Sequence, residues 1–379
     1  MKYPDDVPVR TDGTVTLRAL RVDDADGVYE HCVDPLTQEH TSVRVPYRLE
    51  DARYYVGSRG GAWEQGVWSF AIQSPWGVGA GGFSGSISLT NEGSGLAEIN
   101  YSTHPQVRGH GVTTAAVRLI CDWAFEEQGV RTILWQAYEG NVASRRIAWK
   151  TGFTFEGASR GTVPQRGELR DGWRATLLAT DSRQPKTRWV DPVILENDLV
   201  RLRPLRAEDE QRYLATNGDP ETLVWLGGIN FPRDAEHFHR HLARGPVGNS
   251  LGASVEWAMA DPVRDHYVGT INLFGMTGLD YLSAEVGYRT HPDSRGRGLL
   301  RAAMMLAAEH AFTPEADGGL GLERISLNAG VGNHGSLGVA RSCGFAETGL
   351  DRQCYDLIDG RVVDLVRFDL LRSEFPPRV

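Results

Sequence analysis

The chain has 379 residues, 41% hydrophobic and 23% charged, with a formal net charge of −9, the proportions of a folded globular protein with room for more than one domain. Residues 1–185 hold 19 Lys and Arg against 22 Asp and Glu, and residues 186–379 hold 21 against 27, so neither half has the positive surplus that a nucleic-acid partner requires. No run of eighteen apolar residues marks a membrane span, and the opening residues MKYPDD lack the apolar core of a secretory signal, which makes the cytoplasm the expected location.

In chain order, residues 15–20 alternate like a strand, and a helical stretch begins at Asp23, where Asp24 and Asp26 suit the positive end of a helix. Residues 68–72, 85–89 and 97–101 read as three strands separated by Gly- and Asn-rich turns, an antiparallel meander. Val117, Ile120, Trp123 and Ala124 then recur at helical spacing, so that helix lays one face on a sheet. Residues 132–136 form the next strand and residues 141–151 the next helix, closed by Gly152. A hairpin is expected around Asp171 and Gly172. Trp68, Trp123, Trp149 and Trp257 read as core side chains.

The same order then repeats. Residues 15–21 (VTLRALR) match 200–206 (VRLRPLR) at an offset of 185, as Asp34-Pro35 matches Asp219-Pro220. His104-Pro105-Gln106-Val107-Arg108-Gly109-His110-Gly111 matches His291-Pro292-Asp293-Ser294-Arg295-Gly296-Arg297-Gly298 at 187. Asn141 and Ser144 match Asn333 and Ser336, and Gly152-Phe153 matches Gly344-Phe345, at 192. The second copy therefore carries five extra residues, expected in the Gly- and Pro-containing stretch 313–321. Its strands fall at 255–259, 267–273, 284–288 and 362–370. A repeat on this scale is a duplicated domain: residues 1–184 and 193–379, joined across the polar segment 181–191 (DSRQPKTRWVD). Each half is a mixed α/β fold, a mainly antiparallel sheet flanked by helices.

Each repeated loop follows a strand and precedes a helix, the arrangement in which backbone N–H groups cradle an anion. Gly109 and Gly111, or Gly296 and Gly298, let the backbone approach a phosphate with no Cβ in the way, and Arg108 or Arg295 is placed to add a charge-assisted contact. A dinucleotide loop would need a third glycine where Thr114 and Arg301 stand, and the Gly-Lys-Ser/Thr of a nucleotide-triphosphate loop is absent. The four cysteines (Cys32, Cys121, Cys343, Cys354) have no CxxC spacing and no histidine cluster beside them, so no metal is expected.

The Arg-Gly-x-Gly loop after a strand, with Asn-x-x-Ser and Gly-Phe following, resembles the GCN5-related N-acetyltransferases (GNAT). Leu-Arg-x-Leu-x-x-x-Asp and the Asp-Pro pair make the chain most similar to their ribosomal-protein-alanine/serine acetyltransferase branch, twice over. The resemblance implies a sheet splayed open between the family's fourth and fifth strands, with the pantetheine arm of acetyl-CoA, or of another acyl-CoA, in the gap and the pyrophosphate on the loop. Gln106, Val107, Arg108, Gly109, His110, Gly111 and Asn141 are then the cofactor residues of the first half. Arg295, Gly296, Arg297, Gly298 and Asn333 are those of the second, where Asp293 departs from the Gln or Arg that opens the family's stricter loop. Glu98 and Glu285 are the implied bases, acting through water. Ser144 and Ser336 are the implied proton donors to the CoA sulfur, and Tyr101 lies near the acceptor.

The implied reaction is direct attack of a neutral primary amine on a thioester, the amine belonging to a peptide, a protein N-terminus or a small natural product. Three rival readings differ in donor or in division of labour. In one, an acyl carrier protein supplies acyl-phosphopantetheine for peptide natural-product biosynthesis. In another, one half is catalytic and the other a binding module. In the third, the chain is a non-catalytic acyl-CoA sensor. Acceptor choice is expected to lie in the helical regions after Asp23 and Glu208 and in the hairpins near Asp171 and Asp359.

Overall fold

The computed structural model describes residues 7–226, 231–277 and 281–375. The chain divides into two compact units, Met1–Lys186 and Thr187–Val379. The segment expected to join them is shared out. Arg183 donates to Asp122 at 3.1 Å and Lys186 to Thr154 at 2.6 Å in the first unit. Thr187 donates to the Ser250 carbonyl at 2.8 Å, and buried Val190 joins the core of the second.

The first unit runs β1 (Arg10–Thr11), β2 (Thr16–Arg18), α1 (Ala25–Cys32), α2 (Pro35–His40), α3 (Leu49–Glu64), β3 (Val67–Val78), β4 (Phe83–Gly93), β5 (Leu96–Thr103), α4 (Val112–Glu127), β6 (Thr132–Tyr138), α5 (Val142–Lys150), β7 (Thr154–Gln165) and β8 (Glu168–Leu178). The second runs β9 (Leu195–Glu196), β10 (Arg201–Arg203), α6 (Glu210–Gly218), α7 (Pro220–Trp225), α8 (Ala235–Ser250), β11 (Ser254–Ala260), β12 (Tyr267–Phe274), β13 (Ser283–Thr290), α9 (Leu299–Phe312), β14 (Arg324–Gly330), α10 (His334–Ser342), β15 (Ala346–Asp356) and β16 (Val362–Leu371). The sheet orders are β1-β2-β3-β4-β5-β6-β8-β7 and β15-β16-β14-β13-β12-β11-β10-β9, the same order read from opposite ends. Every neighbouring pair is antiparallel except β5–β6 and β13–β14. Those two parallel pairs need a crossover, which α4 and α9 supply. The longer α9–β14 connection, with a 3-10 turn at Glu315–Asp317, holds the five extra residues. Among the described residues no helix is long and apolar enough to cross a membrane.

Burial explains the periodicities. Val117, Ile120, Trp123 and Ala124 of α4 are all 3% exposed or less, and Trp123 packs edge-on against Phe70 and Trp68, each at 5.4 Å. In the second unit Ala303, Met304, Ala307 and Ala311 of α9 pack with Trp257, Ile271, Ile325 and Phe368.

The Leu-Arg-x-Leu-x-x-x-Asp signature is a structural device. Arg18 holds Asp24 through paired contacts of 2.7 and 2.8 Å with both side chains buried, and Arg203 holds Asp209 with the same two distances. Asp24 also accepts from the Arg21 N–H at 2.7 Å. It therefore closes the turn before α1 and does not simply face a helix dipole. Removing one partner of such a pair strands a buried charge, at a cost of about 3–5 kcal/mol.

Two expectations change. The terminal hairpin of the first unit turns at Arg166-Gly167, both at positive φ (49° and 89°) between the paired Gln165 and Glu168, as a two-residue hairpin turn requires. Asp171 and Gly172 lie inside β8. Gly172 serves close packing, since a Cβ there would come within 2.1 Å of Val163 Cγ2. The sixteen-residue helices α3 and α8 went unread because Gly57, Gly60 and Gly61 interrupt one pattern and Gly245, Pro246 and Gly248 the other. Tertiary packing overrides such propensities.

Candidate active site

The parallel strands of each unit pair only at one end. β5 and β6 share a ladder from Leu96–Thr132 to Ile99–Trp135 and then part. β6 stays on β8 as far as Tyr138–Gly172, while β5 stays on β4 as far as Thr103–Gly85. Each strand is thus held by its other neighbour, and the gap opens between them. In the second unit β13 and β14 pair over Ser283–Glu285 and Arg324–Ser326 before parting. The first gap widens into a cleft of about 640 Å³ whose lining includes His31, Glu98, Tyr101, Trp135, Asn141 and Ser144.

The repeated loops stand at the start of α4 and α9. Val107 and Ser294 are buried and anchor them. Gly109 and Gly111 have φ of 83° and 75°, Gly296 and Gly298 of 68° and 75°, and a Cβ on any of the four would meet nothing within 4 Å. Glycine is therefore demanded by the left-handed backbone, which costs another residue about 1–2 kcal/mol, and the space over each loop is open. Gly111 and Gly298 are the N-caps of their helices, whose first N–H groups have no intrahelical acceptor. Open space, no Cβ and unspent N–H donors at a helix start fit a pyrophosphate. His110 stacks on Trp76 at 4.9 Å; Gln106 and Arg297 are exposed.

The loop arginines turn elsewhere. Arg108 donates to Asp34 at 2.5 Å and Thr37 at 3.1 Å, and Arg295 to Asp219 at 2.5 Å and Thr222 at 2.7 Å. Asp34 and Asp219 are the N-caps of α2 and α7, accepting from the Thr37 and Thr222 N–H groups at 2.9 Å. Burial raises both carboxyls, but the arginine and threonine bonds outweigh it and hold them below the usual range. The Asp-Pro pair of the repeat is thus the anchor that ties the loop to the short helix.

Asp293, the departure in the second loop, is neutralised where it stands. Arg212 donates to it at 2.7 Å, Ser294 at 2.7 Å, and His291 lies at 2.8 Å. The Arg212 bond leads in holding this carboxyl far below the usual range. The matching pair in the first unit is Gln106 and Gly27, both uncharged.

At the gap, Asn141 and Asn333 cap α5 and α10, accepting from the Ser144 and Ser336 N–H groups at 3.1 Å. Tyr101 Oη lies 2.9 Å from Ser144 Oγ, and Tyr288 Oη 2.7 Å from Ser336 Oγ. Burial pushes both phenols up, Tyr288 to about 12 and Tyr101 further, so both stay neutral. Only the first unit adds Trp135, whose Nε1–H points at Tyr101 Oη (2.9 Å) and Ser144 Oγ (3.2 Å); Leu327 stands at the matching place. A buried indole usually finds an acceptor; Trp135 has two in reach, whereas Trp123 and Trp173 Nε1 have none among the described residues.

Glu98 and Tyr101 are three apart on an unbroken stretch of β5 and so project to opposite faces, both reaching the cleft because the strand edge is open there. Burial, then the nearby Glu92, raises the Glu98 carboxyl above its ordinary value. Glu285 is half-buried at the corresponding place on β13. His31, unmarked by any motif, lines the same cleft. It is 2% exposed and neither ring nitrogen has a hydrogen-bond partner. Burial, with the charges of His104 and Arg108, lowers its pKa to about 4. An orphaned buried polar group costs about 1–3 kcal/mol, a cost His31 shares with Trp123 Nε1 and Trp173 Nε1.

Comparison with known proteins finds one family in both units. The sequence model of the acetyltransferase (GNAT) domain fits residues 14–154 and again residues 200–346. "Putative ribosomal N-acetyltransferase YdaF" of Bacillus subtilis (strain 168) is 37% identical over 182 residues, 47% of this chain and 94% of that protein. Among solved structures, RimJ of Mycobacterium smegmatis in complex with CoA-disulfide aligns over 49% of this chain and 90% of its own at 21% identity, with a TM-score of 0.44. Spermidine N-acetyltransferase of Vibrio cholerae in complex with CoA and spermine aligns over 47% and 99% at 21% identity, with a TM-score of 0.41.

Proposed function

The chain belongs to the GNAT acetyltransferase family in both of its units, and from that premise we propose that it moves an acetyl group from acetyl-CoA to a primary amine by direct attack. The observation that carries the reading is the Tyr–Ser pair across the splayed strands, in the same unit as a loop whose left-handed glycines leave N–H donors and open space. The acceptor is an amine of a peptide, a protein N-terminus or a small molecule; the ribosomal N-acetyltransferase name of YdaF supports a protein amine. Buried, unpaired Cys32, Cys121 and Cys343 suit a cytoplasmic protein.

Acetyl-CoA supplies the activated thioester. The residues do the rest. The loop N–H groups with Gly109 and Gly111 hold the pyrophosphate, Asn141 fixes the start of α5, and Arg108 braces the loop against α2. Glu98, its carboxyl raised above its ordinary value by burial, takes through water the proton that the amine must lose as the C–N bond forms. Ser144 Oγ accepts from Trp135 and shares a hydrogen bond with Tyr101 in which either hydroxyl can donate; with the phenol as donor, the serine O–H protonates the sulfur as the C–S bond breaks. Tyr288 and Ser336, with Glu285, repeat the set without the indole.

Calorimetric titration of acetyl-CoA into wild type, Gly109→Asp/Gly111→Asp and Gly296→Asp/Gly298→Asp tests the cofactor reading, because the added carboxylates repel pyrophosphate while facing open space. Two sites are expected, each lost with its own double substitution. Absence of binding to the wild type refutes the donor assignment.

A further inference from the structure

The strand registers equate the faces of the two units that lie opposite the Tyr–Ser pair. Ser86 pairs with Ser102 as Thr270 pairs with Arg289, and Ser69 pairs with Ser88 as Glu256 pairs with Asn272. On the covering helix, Val28 and His31 correspond to Tyr213 and Thr216 at the offset of 185. In the first unit Ser86, Ser88, Ser102 and Val28 line the open cleft, with His31 on its wall.

The second unit fills the same face with its own side chains. Arg289, 8% exposed, lies 3.9 Å over the Phe231 ring and donates to Tyr213 Oη at 3.2 Å. Its guanidinium also stands 4.0 Å from Glu256, which His241 meets at 2.7 Å. Burial would raise the Glu256 carboxyl, but His241 and Arg289 outweigh it and keep it ionised. Carboxylate, guanidinium and phenol thus fill this face, with Arg289 Nε left without a hydrogen-bond partner among the described residues, where the first unit has only Ser69, Ser102 and Val28.

We propose that the first unit alone takes the amine acceptor, seated against the free imidazole of His31, and that the second unit, plugged by Tyr213, Arg289 and Glu256, takes the cofactor without an acceptor. This rests on the N-acetyltransferase reading and adds where, and how often, the acceptor is bound. A neutral imidazole offers one donor and one acceptor. The two ring nitrogens point away from each other, so a ligand in the cleft meets one of them, and the matching group is a primary amine or a single hydroxyl or carbonyl carried with it.

The test uses the full chain, acetyl-CoA and the peptide amide Ser-Ala-Ala-NH2, with thiol release for rates and calorimetry for cofactor binding. His31→Phe, similar in size but without nitrogens, is expected to raise the KM for the peptide about tenfold or more, the scale of one hydrogen bond lost in a buried site, with acetyl-CoA affinity unmoved. His31→Gln, which keeps a donor and an acceptor, restores most of that loss. Gly109→Asp/Gly111→Asp abolishes transfer while one equivalent of acetyl-CoA still binds to the second unit. A wild-type peptide KM in His31→Phe, or transfer persisting at about half the wild-type rate in the Gly109/Gly111 variant, overturns the proposal and leaves the N-acetyltransferase reading standing. Failure of wild type to bind acetyl-CoA removes that reading instead.

Discussion

Replacing Ser144 by alanine separates a proton donor from the helix cap that shares its residue. The cap survives, because Asn141 accepts from the backbone N–H of position 144 and not from the side chain. The two groups within hydrogen-bond reach of Ser144 Oγ have other acceptors nearby: Trp135 Nε1 lies 2.9 Å from Tyr101 Oη, and Tyr101 Oη lies 3.2 Å from the Ser144 carbonyl. No buried polar group is orphaned, so the stability loss is about 1 kcal/mol or less, roughly 2–4 °C in the melting temperature of a unit this size. Catalysis should suffer far more. General acid assistance contributes roughly 10²–10⁴-fold, and a thiolate whose conjugate acid titrates near 8.5 is a fair leaving group, which puts the loss at the low end, about 10²-fold in kcat at pH 7. The KM for acetyl-CoA should not move. At pH 9.5, where a thiolate leaves without a proton, the deficit should shrink toward the wild-type rate. Thiol release at saturating substrates, at both pH values, measures this. A kcat within about threefold of wild type at pH 7, or an equal deficit at both pH values, refutes proton donation by Ser144.

The buried ion pairs predict an asymmetry between the units. Asp24→Ala leaves Arg18 with neutral partners, Gln73, Ala19 O and Gly81 O, and should cost about 3–5 kcal/mol; Asp209→Ala leaves Arg203 still holding Asp265 at 2.9 Å and should cost distinctly less, so equal losses in calorimetric unfolding contradict this account. Gly111→Ala meets no steric obstacle but must hold a left-handed backbone, so chemical denaturation should show a loss of about 1–2 kcal/mol, whereas no loss would mean that the loop relaxes freely. His31 gives a pH effect of definite sign: its folded pKa near 4 lies below the unfolded value near 6.5, so between those values the unfolded chain binds a proton that the folded chain refuses. Stability present in full above pH 6.5 is therefore lost as the pH falls, by about 2 kcal/mol at pH 5. Urea midpoints at pH 7 and pH 5 should show this slope in wild type and a correspondingly smaller one in His31→Gln; parallel slopes rule it out.

The readable parts of this molecule are those set by the backbone itself. Gly109, Gly111, Gly296 and Gly298 announce left-handed positions that other residues resist, and Asn141 and Asn333 announce helix starts. Alternation at residues 97–101 and helical spacing from Val117 to Ala124 report which faces are buried. The hairpin misplaced at Asp171-Gly172 shows the limit of such signals, since a glycine required by a neighbour's approach looks in sequence like one required by a turn. Arg108 shows another: its charge and place beside a glycine loop suit a phosphate, yet its guanidinium goes to Asp34, 74 residues away.

By itself, then, the sequence determined the duplication, the order of the most regular strands and helices, the two left-handed glycine loops and the family to which they belong, because each follows from local periodicity, steric permission at glycine and the recurrence of both at a fixed offset. Tertiary structure alone decided which side chains meet. The Tyr101–Ser144 bond spans 43 residues and Trp135 reaches Tyr101 across 34. His31 stands partnerless against a cleft, while Arg289 and Glu256 fill the equivalent face of the other unit. No local pattern encodes these, because a hydrogen bond depends on where distant segments pack, and a cavity on what its neighbours leave empty.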